Sequence, residues 1–106
     1  EKFLIRRNLI IEKLTQIKNI ECQIPQGAFY VFPNFKFYLN SIDNNGAKIR
    51  SSSDLSLYIL NTTGVVTVAG DSFGAPNNIR LSYATSEDTI VKAISLINQT
   101  LQKLNF

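Results

Sequence analysis

An arginine inside an alternating segment is the residue whose position most needs a chemical reason. Arg80 lies between Ile79 and Leu81, in a segment whose large apolar residues recur at every second position up to Tyr83. In a β-strand this alternation puts the apolar side chains on one face and Arg80 on the other. A planar guanidinium held on a strand is suited to binding a carboxylate through two parallel hydrogen bonds. The alternative is that Arg80 is an exposed arginine on the solvent side of a sheet.

Two other parts of the sequence carry residue types that bind ligands in other proteins. The loop containing Gly70 and Gly74 lacks the strand-loop-helix context of a dinucleotide fingerprint and the Lys-Ser/Thr ending of a phosphate loop. It therefore indicates only a constrained turn. Phe29, Tyr30 and Phe32 could stack on nucleic-acid bases, but core packing is the commoner role of such an aromatic run.

The cysteine and histidine counts exclude several kinds of site within this chain. Cys22 is the single cysteine and histidine is absent, so a disulfide framework, a zinc cluster and a His-based triad cannot be built from these residues. No histidine or helix start is evident near Cys22 to lower its pKa, and we interpret it as an inert, small apolar residue. An unpaired thiol is compatible with the reducing cytoplasm, where we expect the protein to lie.

Length and charge set broad limits on the fold and the partners. With 106 residues, of which 44% are hydrophobic and 18% charged, the chain is the size of one domain or part of one. The net charge of +3 comes from basic residues scattered along the chain, which favours a solvated surface over a nucleic-acid-binding stripe. No apolar run approaches the roughly 20 residues that span a bilayer.

Three segments have the periodicity of amphipathic helices. The first covers residues 2–18, and because no N-capping residue precedes it, we expect further chain upstream. A capping box that begins at Ser51 predicts a second helix over residues 53–63, which ends at Gly64. A similar box that begins at Thr85 predicts a third helix, which we expect to run to the end of the chain.

Three short runs of β-branched and aromatic residues predict strands at residues 28–32, 65–68 and 78–83. Residues 34–53 are polar and contain an Asn-Asn-Gly turn signal, which is typical of a mobile or functional excursion. The predicted order is helix, strand, helix, strand, strand, helix. This pattern indicates a single α+β domain over residues 1–106, with two layers in which helices pack on one face of a short three-stranded sheet.

Three blocks of the sequence, separate but in a fixed order, carry a family resemblance. They are residues 26–33 (QGAFYVFP), 64–74 (GVVTVAGDSFG) and 79–86 (IRLSYATS), and the opening Arg6-Arg7-Asn8-Leu9 adds to them. Together they resemble the C-terminal part of class I aminotransferases of the aspartate aminotransferase family. The last block favours an aspartate or prephenate type over alanine or kynurenine types.

The resemblance implies a fold-type I enzyme that moves an amino group between an amino acid, expected to be aspartate, and a 2-oxo acid through pyridoxal phosphate. It implies that Arg80 binds the substrate α-carboxylate and that Phe29 lies near that pocket. The family usually has Pro where Ala69 stands and commonly Gly near Asn77 and Asn78. These departures predict a looser loop before the Arg80 strand.

The resemblance also implies that the catalytic apparatus lies elsewhere. In the family, the catalytic lysine, the acid paired with the pyridine nitrogen and the phosphate cup belong to the large domain, and no lysine of this sequence stands in that lysine motif. We therefore expect a C-terminal small-domain fragment that is inactive alone, binds no pyridoxal phosphate by itself and holds no catalytic or metal-binding residue. In the parent it would contact the large domain of the same chain, within a homodimer.

Two alternatives belong to other functional classes. One is a free-standing small α+β module that binds RNA or another ligand, for which the isoelectric point of about 9.2 is the support. The other is a structural or oligomerising fragment, whose apolar surface would be exposed where a large domain should dock.

Overall fold

Three helices and two small antiparallel sheets form the part of the chain that the computed structural model describes, which is residues 2–22, 30–83 and 85–106. This arrangement confirms the α+β class and the predicted order around a three-stranded sheet. No helix in these ranges is both long and apolar enough to cross a bilayer. The helices are α1 (Lys2–Thr15), α2 (Ser52–Thr63) and α3 (Glu87–Leu101). The strands are β1 (Tyr30–Val31), β2 (Ser41–Ile42), β3 (Lys48–Ile49), β4 (Val68–Ala69) and β5 (Ile79–Ser82), with short 3₁₀ helices at Lys36–Tyr38 and Gly70–Phe73.

Strand β5 is the middle strand of the larger sheet, between β1 and β4, and both pairings are antiparallel. One face of this sheet is buried, and it presents Val31, Ile79 and Leu81 to the core. All three helices contribute apolar residues to the same core, which include Ile10, Leu14, Leu55, Ile59, Ile90, Ile94, Ile97 and Leu101. The sheet therefore has one packed face and one outer face.

The helix ends follow local capping chemistry. Ser51 caps α2 by accepting a hydrogen bond from the N–H of Asp54 at 3.2 Å, and Gly64 ends the helix in the left-handed conformation with φ 79°. Both features confirm the prediction. For α3 the prediction is wrong by one residue, because Ser86 and not Thr85 is the cap.

Element boundaries differ from the prediction in several places. Helix α1 ends at Thr15, before residue 18, and α3 ends at Leu101, before the end of the chain. The strand predicted at residues 65–68 is shifted toward the C-terminus as β4. Of the strand predicted at residues 28–32, β1 is the described part, and residues 28 and 29 lie outside the described ranges.

The polar stretch before α2 holds a β-hairpin, β2 with β3, where an irregular excursion was expected. The predicted Asn-Asn-Gly turn joins the two strands, with Gly46 at φ 84°. The Asp43 carboxylate closes the turn by accepting hydrogen bonds from the N–H groups of Asn45 at 2.8 Å and Ala47 at 2.9 Å. Ile49 of β3 is buried in the common core, which attaches the hairpin to the domain.

Gly70 lies where the backbone after β4 passes close to the backbone before β5. Its N–H donates to the Asn78 carbonyl at 2.8 Å, and its carbonyl accepts from the N–H of Ala75 at 2.9 Å. A Cβ at this position would stand 2.2 Å from the Ala75 oxygen and 2.6 Å from the Asn78 oxygen. Any side chain is therefore excluded by the backbone of the loop that leads into β5.

Replacing Gly70 by alanine should destabilise the protein by about 1–3 kcal/mol, because the backbone must shift to admit the methyl group. The free energy of unfolding is measured by urea denaturation. Gly74→Asn is the matched control, since Gly74 has φ 75° and a Cβ added there would meet no atom within 4 Å, and asparagine tolerates that conformation. Equal losses in the two variants would contradict the steric explanation.

Candidate carboxylate-binding site

Arg80 occupies the middle strand on the face that points away from the core. Its neighbours Ile79 and Leu81 are 0% and 5% exposed, whereas Arg80 is half-buried and Ser82 is exposed. This confirms the alternation that the sequence predicts. Val68 of β4, which is half-buried, lies directly opposite Arg80 in the register. The guanidinium is thus carried on the outer face by a strand that is paired on both sides.

Tyr30 contacts Arg80 on this outer face. It lies opposite Ser82 in the register of β1 and β5, which makes it the diagonal neighbour of Arg80 on the same face. The Cζ atom of Arg80 stands 4.5 Å from the centroid of the Tyr30 ring, a cation–π contact. Tyr30 is 46% exposed, so the interpretation of this residue as core packing is wrong.

Phe32 also belongs to the outer face. The antiparallel register of β1 and β5 continues to a bridge between Asn34 and Asn78, which places Phe32 opposite Arg80. It is 38% exposed, so core packing is not its role either, and its ring tip would be 3.1 Å from a Cβ on Gly70.

Phe29, the second predicted substrate-site residue, lies outside the described ranges. Its placement near Arg80 stays a prediction.

Hydrogen bonds to neighbouring backbone hold the loop that precedes Arg80. The Asn78 side chain donates to the Phe32 carbonyl at 2.8 Å, and the Phe35 N–H donates to the Asn77 carbonyl at 2.7 Å. The two asparagines connect the loop to the segment after β1. These hydrogen bonds therefore hold the segment after β1 next to the start of β5. That the loop is looser than in the family stays a prediction.

Asp71 ties the same loop to the N-terminus of α2. Its carboxylate accepts hydrogen bonds from the Ser52 hydroxyl and from the Ser53 hydroxyl, the latter at 2.8 Å. The Asp71 N–H donates to the Ser52 oxygen at 3.2 Å. The hydrogen bond from Ser52, followed by that from Ser53, lowers the pKa of Asp71. Sequence reasoning missed this contact, because 19 residues separate Ser52 from Asp71.

Neither Cys22 nor a cluster of acidic side chains forms a second candidate site within the described ranges. Burial raises the pKa of the Cys22 thiol, which agrees with its interpretation as an inert residue. No group of three or more His, Cys, Asp or Glu side chains there is placed to hold a metal ion.

The described lysines belong to other elements than the strand that carries Arg80. None of them lies in the three-stranded sheet that carries Arg80. They are spread over helices, the hairpin and loops as Lys2, Lys13, Lys18, Lys36, Lys48, Lys92 and Lys103. Arg80 is therefore the one basic residue among the described strands of this sheet.

Comparison with protein families and with known proteins finds relatives of this chain. The family model described as "Aminotransferase class I and II" matches residues 1–97. A probable aspartate/prephenate aminotransferase of Rhizobium leguminosarum bv. phaseoli is 38% identical over 94 residues, which are 89% of this chain and 24% of that protein.

Solved structures agree with the sequence relatives. The aspartate aminotransferase from Rhizobium meliloti superposes with a TM-score of 0.94 at 33% identity, over 98% of this chain and 26% of that one. The Thermus thermophilus aspartate aminotransferase with maleate gives a TM-score of 0.76 at 30% identity, over 92% of this chain and 22% of that one. The chain thus spans about a quarter of the length of the relatives it matches.

The contact between Asp71 and α2 predicts a pH dependence of stability. Because the folded pKa of Asp71 lies below its ordinary value of 3.8, the carboxylate should stabilise the fold fully above that value and lose the effect as pH falls through the folded pKa. Asp71→Asn should therefore be less stable than wild type near neutral pH, and the difference should shrink in acid. Thermal unfolding from about pH 6 to pH 2 measures it.

Asp88→Asn is the control for Asp71→Asn, since Asp88 lies in the first turn of α3. It shows how much of the effect any carboxylate near a helix start produces. A stability difference for Asp71→Asn that is unchanged down to pH 2 would contradict the assigned role of the charge.

Proposed function

Because the chain belongs to the family of class I and II aminotransferases, we propose that Arg80 binds the α-carboxylate of an amino acid substrate. The observation that carries this proposal is the outward position of Arg80 on the middle strand, beside the exposed Tyr30 ring. An arginine fork can hold a carboxylate through two charge-assisted hydrogen bonds, which fix both its position and its orientation. Phe29 is proposed as an aromatic neighbour of the same pocket.

We further propose that the chain is the C-terminal small domain of a longer pyridoxal-phosphate-dependent enzyme. It matches about a quarter of its relatives' length, and Arg80 is the one basic residue in the described strands of its three-stranded sheet. The remaining part of the parent would carry the catalytic lysine and the phosphate contacts. The cofactor, when bound there, supplies the electron sink for amino transfer. This domain would orient the substrate and help to exclude water when the site closes.

A dicarboxylic amino acid such as aspartate is the proposed amino donor. The Rhizobium leguminosarum relative is named for aspartate and prephenate, and the Thermus thermophilus structure contains maleate, a dicarboxylate. The family match favours this function over a free-standing RNA- or ligand-binding module, which rested on the isoelectric point. A homodimeric parent in the cytoplasm is part of the same proposal.

Arg80→Lys in the full-length protein should lower kcat/KM for the dicarboxylic amino acid by about ten- to hundredfold. Lysine keeps the charge but replaces a two-pronged donor by a mobile point charge, and one charge-assisted hydrogen bond is worth about 1.5–3 kcal/mol. The loss should lie mainly in KM, because the carboxylate is bound in both the ground state and the transition state. Half-reaction kinetics measure it, with cofactor content expected to stay unchanged.

The matching amine that lacks the α-carboxylate separates this role from a structural one. Arg80→Lys should hardly change the slow reaction of that amine. Arg50→Lys is the control variant, since Arg50 is an exposed arginine outside the three-stranded sheet. Equal losses with both substrates, or no loss with either, would show that Arg80 is only a surface strand residue.

The 106-residue chain alone should bind no pyridoxal phosphate in a one-to-one ratio, because the proposed cofactor contacts belong to the rest of the parent. Equilibrium dialysis with absorbance detection tests this, and the full-length protein serves as the positive control. One equivalent of cofactor bound at a single lysine of the short chain would refute the proposed division of the site.

A further inference from the structure

We infer that Tyr30 is a positioning residue for the substrate, which holds the Arg80 guanidinium against its ring so that the guanidinium edge faces the α-carboxylate. The inference rests on the proposed function of Arg80 and adds a second residue to it. Its basis is the 4.5 Å separation between Arg80 Cζ and the Tyr30 ring centroid.

The sheet register makes this contact a consequence of the fold. Val31 is 1% exposed and faces the core, so the adjacent Tyr30 must face outward on β1. Its diagonal relation to Arg80 across the β1–β5 pair is within the reach of an aromatic ring and a long side chain. On the other flank, the aliphatic Val68 lies opposite Arg80. Arg80 is therefore flanked by Tyr30 and Phe32 on the β1 side and by Val68 on the β4 side.

The exposure of Tyr30 indicates that core packing does not explain why an aromatic residue occupies this strand position. With 46% of its surface exposed, Tyr30 contributes less to the core than the fully buried Tyr38 and Tyr83 do. A large aromatic residue at an exposed strand position, in contact with a cation, is suited to orienting that cation.

Face and edge of the guanidinium serve different partners. An aromatic ring contacts the planar face, whereas a carboxylate binds along the edge through the N–H groups. The two interactions therefore do not compete. An arginine that is already oriented loses less conformational freedom on binding, so the ring should strengthen substrate binding without touching the substrate.

Three substitutions in the full-length protein test the inference. Tyr30→Leu removes the ring, Tyr30→Thr removes it with a residue that suits a strand, and Tyr30→Phe keeps it. The ring-free variants should raise KM for the dicarboxylic amino acid by about three- to thirtyfold, which corresponds to the loss of a cation–π contact. Tyr30→Phe should stay within about threefold of wild type. The amine without the α-carboxylate should react equally with all of them.

Two controls isolate the contact with Arg80. Phe37→Leu removes an aromatic ring that is 49% exposed outside the sheet and packs against the tilted ring of Phe106, with ring centroids 5.0 Å apart. It should leave both substrates unaffected. In an Arg80→Met background, Tyr30→Leu should cause no further selective loss, because the two residues act as one unit.

The outcomes separate this inference from the function on which it rests. A selective loss in Arg80→Lys with no KM change in the two ring-free variants overturns the role of Tyr30 alone. Losses that are equal for both substrates, or equally large in Tyr30→Phe, overturn it as well. Absence of a selective loss in Arg80→Lys overturns the function of Arg80, and the role of Tyr30 with it.

Discussion

The antiparallel pairing of β5 on both sides is the constraint on which the rest of the site depends. Its register puts Leu81 opposite Val31 and Arg80 opposite Val68. Because side chains alternate along a strand, burial of the apolar set forces Arg80 to the outer face. A slip of one residue would expose that set and bury a charge, which is costly in a core. The direction of the guanidinium is therefore fixed by core packing.

Contacts outside the sheet fix the position of the loop that leads into this strand. Gly70 lets two backbones approach, and Asp71 links the loop before β5 to the start of α2 through Ser52. Helix α2 is itself anchored by Leu55 and Ile59 in the core. The outer face thus depends on a chain of contacts that runs from the core through a helix terminus to a loop.

Features with a local cause could be predicted from the sequence. The three helices, the Ser51 cap and the outward side of Arg80 follow from periodicity and from short-range hydrogen bonds. The hairpin of β2 and β3 was missed because its short strands lie in a polar stretch, without the run of β-branched and aromatic residues that marked β1 and β4.

The contacts of Tyr30 with Arg80 and of Asp71 with Ser52 join residues far apart in the chain. No local signal encodes such pairings, since they depend on strand register and on packing. The pattern alone left Arg80 open between a ligand and a surface residue. The family resemblance favoured the ligand, and it gave no role to Tyr30.

The way in which β5 is built also governs how this region tolerates insertions and deletions. Gly74 has φ 75° and open space around it, whereas residues 75–78, which lead into β5, are held by backbone and side-chain hydrogen bonds. A single codon gained or lost inside β5 would reverse the two faces, whereas a change of two would restore them. Related genes should therefore conserve the spacing within the strand.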